Sequence, residues 1–270
     1  MPKIESAFYN VGYLDRLSYL DTPVHRLDPR AKLVTTLVFI IVIVSMGKYE
    51  ITMLLPFFFF PVFVASLGGI PFGFLARKII IMAPFAVMVG MFNPFLDRDI
   101  LIHAGSMGIS GGWVSFISII IRFILTISAA FILISTTGFM GICLALEKLK
   151  VPKIFAVQLL FLYRYIFVLI EEAGRLVTAR DLRSFHGRGM GIRVTGLMIG
   201  HLLLRTIDRA RRIHLSMLCR GFDGNIYIMR SLRFRFYDIA YIALWASVFF
   251  IFRFYNVPGI LGRLTGGIFA

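Results

Sequence analysis

A chain of 270 residues that is 59% hydrophobic and only 16% charged, with a mean hydropathy of +0.85, is too apolar for a soluble fold; water-soluble domains run at about 45–50% apolar and about 25% charged. Its net charge of +15 would point to nucleic acid in a soluble protein, but the basic residues flank apolar runs, the arrangement of cytoplasmic loops in a membrane protein, so no nucleic-acid partner is expected. The two cysteines, Cys143 and Cys219, stand 76 positions apart, which excludes a disulfide framework and a paired metal-ligand spacing.

The first 30 residues hold no apolar stretch of the signal-peptide kind, so none is expected ahead of the first span. Runs able to cross about 30 Å of hydrocarbon at about 1.5 Å per residue cover 33–46, 51–67, 79–92, 113–136 and 236–252. The first and third are short and must borrow flanking residues. Pro56, Pro61 and Pro84 lie inside the second and third, where kinks are expected and neighbouring helices can satisfy the freed carbonyls. The fourth run carries Arg122, which reads as a side chain snorkelling toward the interface, and its Thr136-Thr137-Gly138 end reads as a helix exit.

A sixth apolar run, 154–170, contains Tyr163-Arg164-Tyr165 and continues into Glu171-Glu172. The segment from Glu171 to Arg235 holds thirteen arginines against five acids. If 154–170 crossed, that segment would face away from Arg77, Lys78, Lys148, Lys150 and Lys153. Keeping all of these in the cytoplasm gives five spans, with the N-terminus inside and 154–170 packed against the spans or half-immersed.

Within the arginine-rich segment Arg183-Ser184-Phe185-His186-Gly187 recurs 37 residues later as Arg220-Gly221-Phe222-Asp223-Gly224. Glycine takes φ > 0 without a Cβ clash, so each copy closes a helix. Two helices are expected, over 155–184 and 194–220, with Arg175 and Arg212 eight residues upstream of each repeated arginine. Arg193, Arg205, Arg230, Arg233 and Arg235 read as interfacial or positive-inside residues, held by anionic lipid as much as by apolar burial. Arg183 and Arg220 differ. One pentapeptide at two helix ends implies two equivalent pockets in a dimeric or pseudo-symmetric cytoplasmic partner.

No P-loop pattern is present, so ATP chemistry must come from a partner. The five histidines show no metal-binding spacing, the spans carry almost no acids to line an ion pathway, and no nucleophile, base and oxyanion set is discernible; neither an enzyme, a metal site nor a cofactor is expected.

These residues resemble the transmembrane (T) component of energy-coupling-factor ABC importers, most closely the cobalt/nickel branch (the CbiQ/NikQ type). The matching stretches are His25-Arg26-Leu27-Asp28-Pro29-Arg30-Ala31-Lys32, Tyr163-Arg164-Tyr165 with Glu171-Glu172, Ala179-Arg180-Asp181-Leu182-Arg183-Ser184-Phe185-His186-Gly187, and Arg209-Ala210-Arg211-Arg212 leading to Met217-Leu218-Cys219-Arg220-Gly221-Phe222. The family's X-Arg-X motifs usually read Ala-Arg-Gly or Ala-Arg-Ser; here they are Leu182-Arg183-Ser184 and Cys219-Arg220-Gly221. The resemblance implies an all-α polytopic protein of the bacterial or archaeal cell membrane. It implies about five transmembrane helices and two long cytoplasmic coupling helices, whose terminal arginines enter grooves of two ABC ATPase subunits. Arg175, Arg180, Arg209 and Arg212 would support those helices. The membrane portion would hold a separate substrate-binding (S) subunit, and ATP-driven closure would reorient that subunit to release cobalt or nickel inward. The expected organisation is 1–140 (N-terminal region and four spans), 141–235 (coupling helices) and 236–270 (last span and tail). A stand-alone secondary transporter or channel is the alternative, for which polar groups at the bilayer midplane and inverted repeats are expected.

Overall fold

The computed structural model of the chain describes residues 17–96, 100–104, 107–183, 191–224 and 234–254. They separate into two compact units, one within Leu146–Ser231 and the other within Asn10–Ala145 and Leu232–Ala270.

In the larger unit the chain enters through a single helical turn, Pro23–Arg26, and starts helix α1 (Pro29–Val44) at Asp28. Asp28 is the N-cap: its Oδ1 accepts from the Arg30 backbone N–H at 2.9 Å. Pro29 follows at the first helical position, where its preset φ suits the helix and its missing N–H costs nothing. Helix α2 (Ile51–Leu67) is regular over Ile51–Leu54, tightens to 3₁₀ geometry over Leu55–Phe58 and resumes over Phe59–Leu67. The tightening falls on Pro56, which lacks an amide donor and crowds the preceding turn. Pro61 sits in the first turn of the resumed helix and Pro84 lies within α3 (Phe72–Gly90), which stays helical around it.

The third apolar run starts at 79, but α3 begins seven residues earlier, at Phe72 after Pro71. Charged residues there do not end a helix, because their stems lie on apolar surface and their heads escape; the Lys78 ammonium stands 5.5 Å from the centre of the Phe74 ring. An antiparallel hairpin of β1 (Ile100–Ala104) and β2 (Met107–Ser110) follows. Helix α4 (Gly111–Lys148) is interrupted at Gly138, whose φ of 69° and ψ of 157° are open in practice only to glycine. The exit read at Thr136-Thr137-Gly138 is therefore a break inside a longer helix. The larger unit closes with α7 (Phe236–Phe254), and the smaller unit contains α5 (Lys153–Arg183) and α6 (Ile192–Cys219).

Helices α3, α4, α5 and α7 are long and apolar enough to cross a membrane, and α2 is a shorter apolar helix. Large side chains such as Ile80 and Phe85 of α3 stand exposed, as lipid-facing residues do. The protein is thus an all-α polytopic membrane protein with one small hairpin added among the described residues. The inclusion of α5 rests on length and composition, so whether 154–170 crosses is a question of orientation.

Lipid tails are as apolar as leucine, so helices within a bilayer are held by packing and by interhelical hydrogen bonds rather than by a hydrophobic force. Both are present. Buried Phe39 of α1 meets Phe60 of α2 at 4.6 Å and Phe249 of α7 at 5.2 Å between ring centres, and Trp245 of α7 stands edge-on to Phe60 at 4.7 Å; such pairs contribute about 0.5–1.5 kcal/mol each beyond their area. At the start of α1, buried Asp238 accepts from the Asp28 N–H at 2.8 Å through Oδ1 and from the Arg235 N–H at 2.7 Å through Oδ2. One carboxylate thereby caps the N-termini of α1 and α7 together. At the far end of α1, Arg122 of α4 donates to the Gly47 carbonyl at 2.6 Å and Arg253 of α7 donates to the Ser45 carbonyl at 3.0 Å. Arg122, expected to snorkel near a helix end, reaches the turn that follows α1, and Arg253 reaches the carbonyl of its cap residue Ser45, where a cation is favoured.

Candidate functional site

The smaller unit is built on α5 and α6, which fulfil the expectation of helices over 155–184 and 194–220 to within two residues at each boundary. Glu172 of α5 accepts from Arg205 Nη1 of α6 at 2.8 Å, and the rings of Phe161 and Phe222 stand 6.4 Å apart. Going toward the N-terminus of α5 therefore goes toward the C-terminus of α6: the two helices run antiparallel. Their C-terminal arginines consequently lie at opposite ends of the pair. Phe161, beside the end of α6, precedes Arg183 by 22 residues, or roughly 33 Å of helix at about 1.5 Å per residue.

The end of α6 shows how Cys219-Arg220-Gly221 works locally. Gly221 turns to φ +78°, its N–H donates to the Leu218 carbonyl at 3.0 Å, and the Phe222 N–H donates to the Met217 carbonyl at 3.0 Å. These two bonds form a Schellman closure. It leaves the helix unfrayed up to Arg220, the cap residue, whose charge suits the negative end of the helix. Phe222 folds back half-buried near Phe161, fixing that end against α5. At the other end Leu182 is 80% exposed and Arg183 is exposed. Ser184 and the remainder of the first repeat, 185–187, lie outside the described residues.

The arginines divide by their partners. Arg175 pairs with Glu171 at 2.6 Å one turn away, and Arg180 directs two nitrogens at Asp181 Oδ1, at 3.0 and 2.8 Å. Arg205, read as interfacial, bridges the helices through Glu172, an exposed pair worth under about 1 kcal/mol. Arg183, Arg209, Arg212 and Arg220 are exposed and make no hydrogen bond or ion pair with another described residue. Cys219 is exposed and Cys143 buried. No residue of α6 is buried, and Leu197, Leu203, Leu204 and Leu215 stand about 60% exposed among its arginines. This surface is mixed, basic and apolar, and offers donors for carboxylates or backbone carbonyls. Among the described residues no group of three or more His, Cys, Asp or Glu side chains could hold a metal ion.

Sequence reasoning singled out these helix ends and passed over the residues that organise the larger unit. Lys32 is buried, and its Nζ donates to the Thr136 carbonyl at 2.8 Å, just ahead of the break at Gly138. His25 is buried beside it, sharing a 2.7 Å hydrogen bond with Thr22 and donating from Nε2 to the Leu17 carbonyl at 2.9 Å. Burial, and then the Lys32 ammonium, push its imidazole below the ordinary range. Histidine, aspartate and lysine of the 25–32 stretch are therefore structural anchors. Lys32 stands immediately ahead of the first apolar run, where a lysine reads as an ordinary flanking charge, and nothing local signalled Asp238, whose partner Asp28 is 210 positions away.

Comparison with known proteins bears on most of the chain. The family model described as "CbiQ: Cobalt transport protein" matches residues 21–231. The energy-coupling factor transporter transmembrane protein EcfT of Bacillus subtilis is 28% identical over 219 residues, covering 74% of this chain and 81% of that protein. The cobalt transport protein CbiQ of Rhodobacter capsulatus is 32% identical over 100 residues, 37% of this chain and 41% of that protein. EcfT of Streptococcus thermophilus is 28% identical over 227 residues, covering 76% and 83%. With its match extending from before α1 through both long helices, the chain belongs to the CbiQ cobalt transport protein family, a family of membrane components of transporters.

Proposed function

We propose that this chain is the transmembrane coupling subunit of an energy-coupling-factor ABC importer, linking two cytoplasmic ATPase subunits to a separate membrane-embedded substrate-binding subunit. The observation that carries this reading is the pair of exposed arginines, Arg183 and Arg220, neither bonded to another described residue, at opposite ends of one antiparallel helix pair. Two cationic tips roughly 33 Å apart serve two pockets on two subunits better than one pocket on a single protein. A guanidinium offers a planar fork of five donors and binds carboxylates or carbonyls with charge assistance. Set at the end of a closed helix, it passes displacement along the axis instead of losing it in a loop.

The relatives named energy-coupling factor transporter transmembrane protein support the complex, and the family description supports cobalt as cargo. Nickel, implied by the sequence resemblance, is the second cargo to test. In this reading 141–235 is the cytoplasmic or interfacial coupling region, on the side of the N-terminus, α5 does not cross, and Arg209 and Arg212 line the same contact surface. The chain itself hydrolyses nothing; ATP turnover belongs to the ATPases.

The test is the double variant Arg183→Ala/Arg220→Ala. Charge-assisted hydrogen bonds contribute about 1.5–3 kcal/mol each, so losing both weakens ATPase association by at least about 100-fold. The expected result is a chain that reaches the membrane but neither retains the ATPases on purification nor supports cobalt uptake. An intact complex with wild-type uptake contradicts the proposal.

A further inference from the structure

The break in α4 is built from two separate stretches of chain, 29–32 and 135–141. Gly138 adopts backbone angles that a side chain would not tolerate, and the break leaves carbonyls of the preceding turn without the amides of a continuing helix. Lys32, on α1, is 4% exposed and places its ammonium 2.8 Å from one of them, the Thr136 carbonyl. The hydroxyls of Ser135 and Thr137 are buried without a partner, which marks the break as polar and incompletely satisfied. Beyond it the backbone closes in again. A Cβ on Gly141 would meet Thr137 Cγ2 at 2.9 Å and Pro29 Cγ at 3.7 Å, so 139–148 restarts in a confined position beside the cap of α1. That segment then leads, through a turn in which Lys150 takes φ 67°, directly into α5.

We infer that Lys32 is a positioning residue for coupling: its ammonium on the Thr136 carbonyl holds the α4 break at Gly138 in one geometry, making the break the pivot through which displacement of α5 enters the membrane helices. The interior of a bilayer-embedded bundle offers little water to replace that donor, so an uncharged side chain at position 32 leaves the carbonyl bare and the pivot slack. The break is then free to absorb the stroke. This inference rests on the coupling proposal but concerns a different step, since Lys32 lies in the larger unit and not on the α5 and α6 surface.

The experiment compares Lys32→Met and Lys32→Arg in the complex purified with its partner subunits and reconstituted into liposomes. It reads ATPase stoichiometry, ATP hydrolysis, cobalt uptake per ATP, and amide hydrogen exchange over 135–142. The expected result for Lys32→Met is wild-type stoichiometry and continued hydrolysis, uptake per ATP reduced at least tenfold, and faster exchange over 135–142. Lys32→Arg, which keeps a cation at the helix end, retains at least half of wild-type uptake. The inference is overturned if Lys32→Met couples normally, if Lys32→Arg is equally defective, or if Lys32→Met fails to accumulate in the membrane, which makes Lys32 a folding residue only. If the wild-type chain itself retains no ATPase, the coupling proposal has failed instead.

Discussion

At the scale of the residue, single polar groups do work in this protein that apolar area does in a soluble one. Asp238 is the clearest case: one buried carboxylate satisfies the N–H groups of Asp28 and Arg235 and ties the starts of α1 and α7. Replacing it by alanine strands one buried donor, at Asp28, and one part-buried donor, at Arg235, a buried one costing about 1–3 kcal/mol. Asp238→Ala is therefore expected to destabilise the purified chain by about 3 kcal/mol, read as a lowered thermal midpoint, while Asp238→Glu, which can still accept, costs less. A midpoint unchanged in Asp238→Ala would show that the double cap contributes nothing. Asp28-Pro29 entered the sequence reading only as part of the resembling 25–32 stretch, although an N-cap followed by proline is a local signal. Asp238 was not legible, because its meaning arises only when residues 210 positions apart meet.

At the scale of the element, helix ends were read better than helix interiors. The glycine of Cys219-Arg220-Gly221 predicted the end of α6, and Gly221 supplies the left-handed conformation that closes it. A β-branched residue in that conformation costs about 1–2 kcal/mol, a factor of roughly 5 to 30 in an equilibrium. Gly221→Val should accordingly fray the last turn, seen as faster amide exchange over 217–222, and weaken ATPase retention, whereas Gly221→Asn should stay near wild type. Equal protection in Gly221→Val contradicts that account. The third run, too short alone and expected to borrow flanking residues, does so across Arg77-Lys78, because long basic side chains ride a helix without ending it. Two elements were misjudged for physical reasons. Helix α4 was ended at Gly138, although a glycine break inside a packed bundle can be bridged by another helix's donor, here Lys32. The hairpin was not foreseen, although Gly105-Ser106 between two short apolar runs is a hairpin signal.

At the scale of the whole molecule, composition and charge placement were enough for the class. An all-α polytopic membrane protein follows from 59% hydrophobic content and five apolar runs, and the arginine repeat led to the surface whose geometry supports the function. The antiparallel course of α5 and α6 was not legible, because it depends on Glu172 meeting Arg205 and Phe161 meeting Phe222, pairings that no periodicity announces. That course changes how the repeat is understood. The two arginines stand at opposite ends of the helix pair, which is why the proposal assigns them to two partners.

Native Cys219 is exposed beside Arg220, Leu182 is exposed beside Arg183, and Cys143 is buried, which makes both tips addressable without disturbing either arginine. A photoreactive maleimide on Cys219, and the same probe on Leu182→Cys in a Cys219→Ser background, can be activated within the assembled complex. Each probe is expected to capture an ATPase subunit, and a chain carrying both probes is expected to yield an adduct with two ATPase subunits. Failure of both probes to reach an ATPase, or a doubly labelled chain that never captures more than one, would contradict the claim that this helix pair couples two ATPases to the membrane.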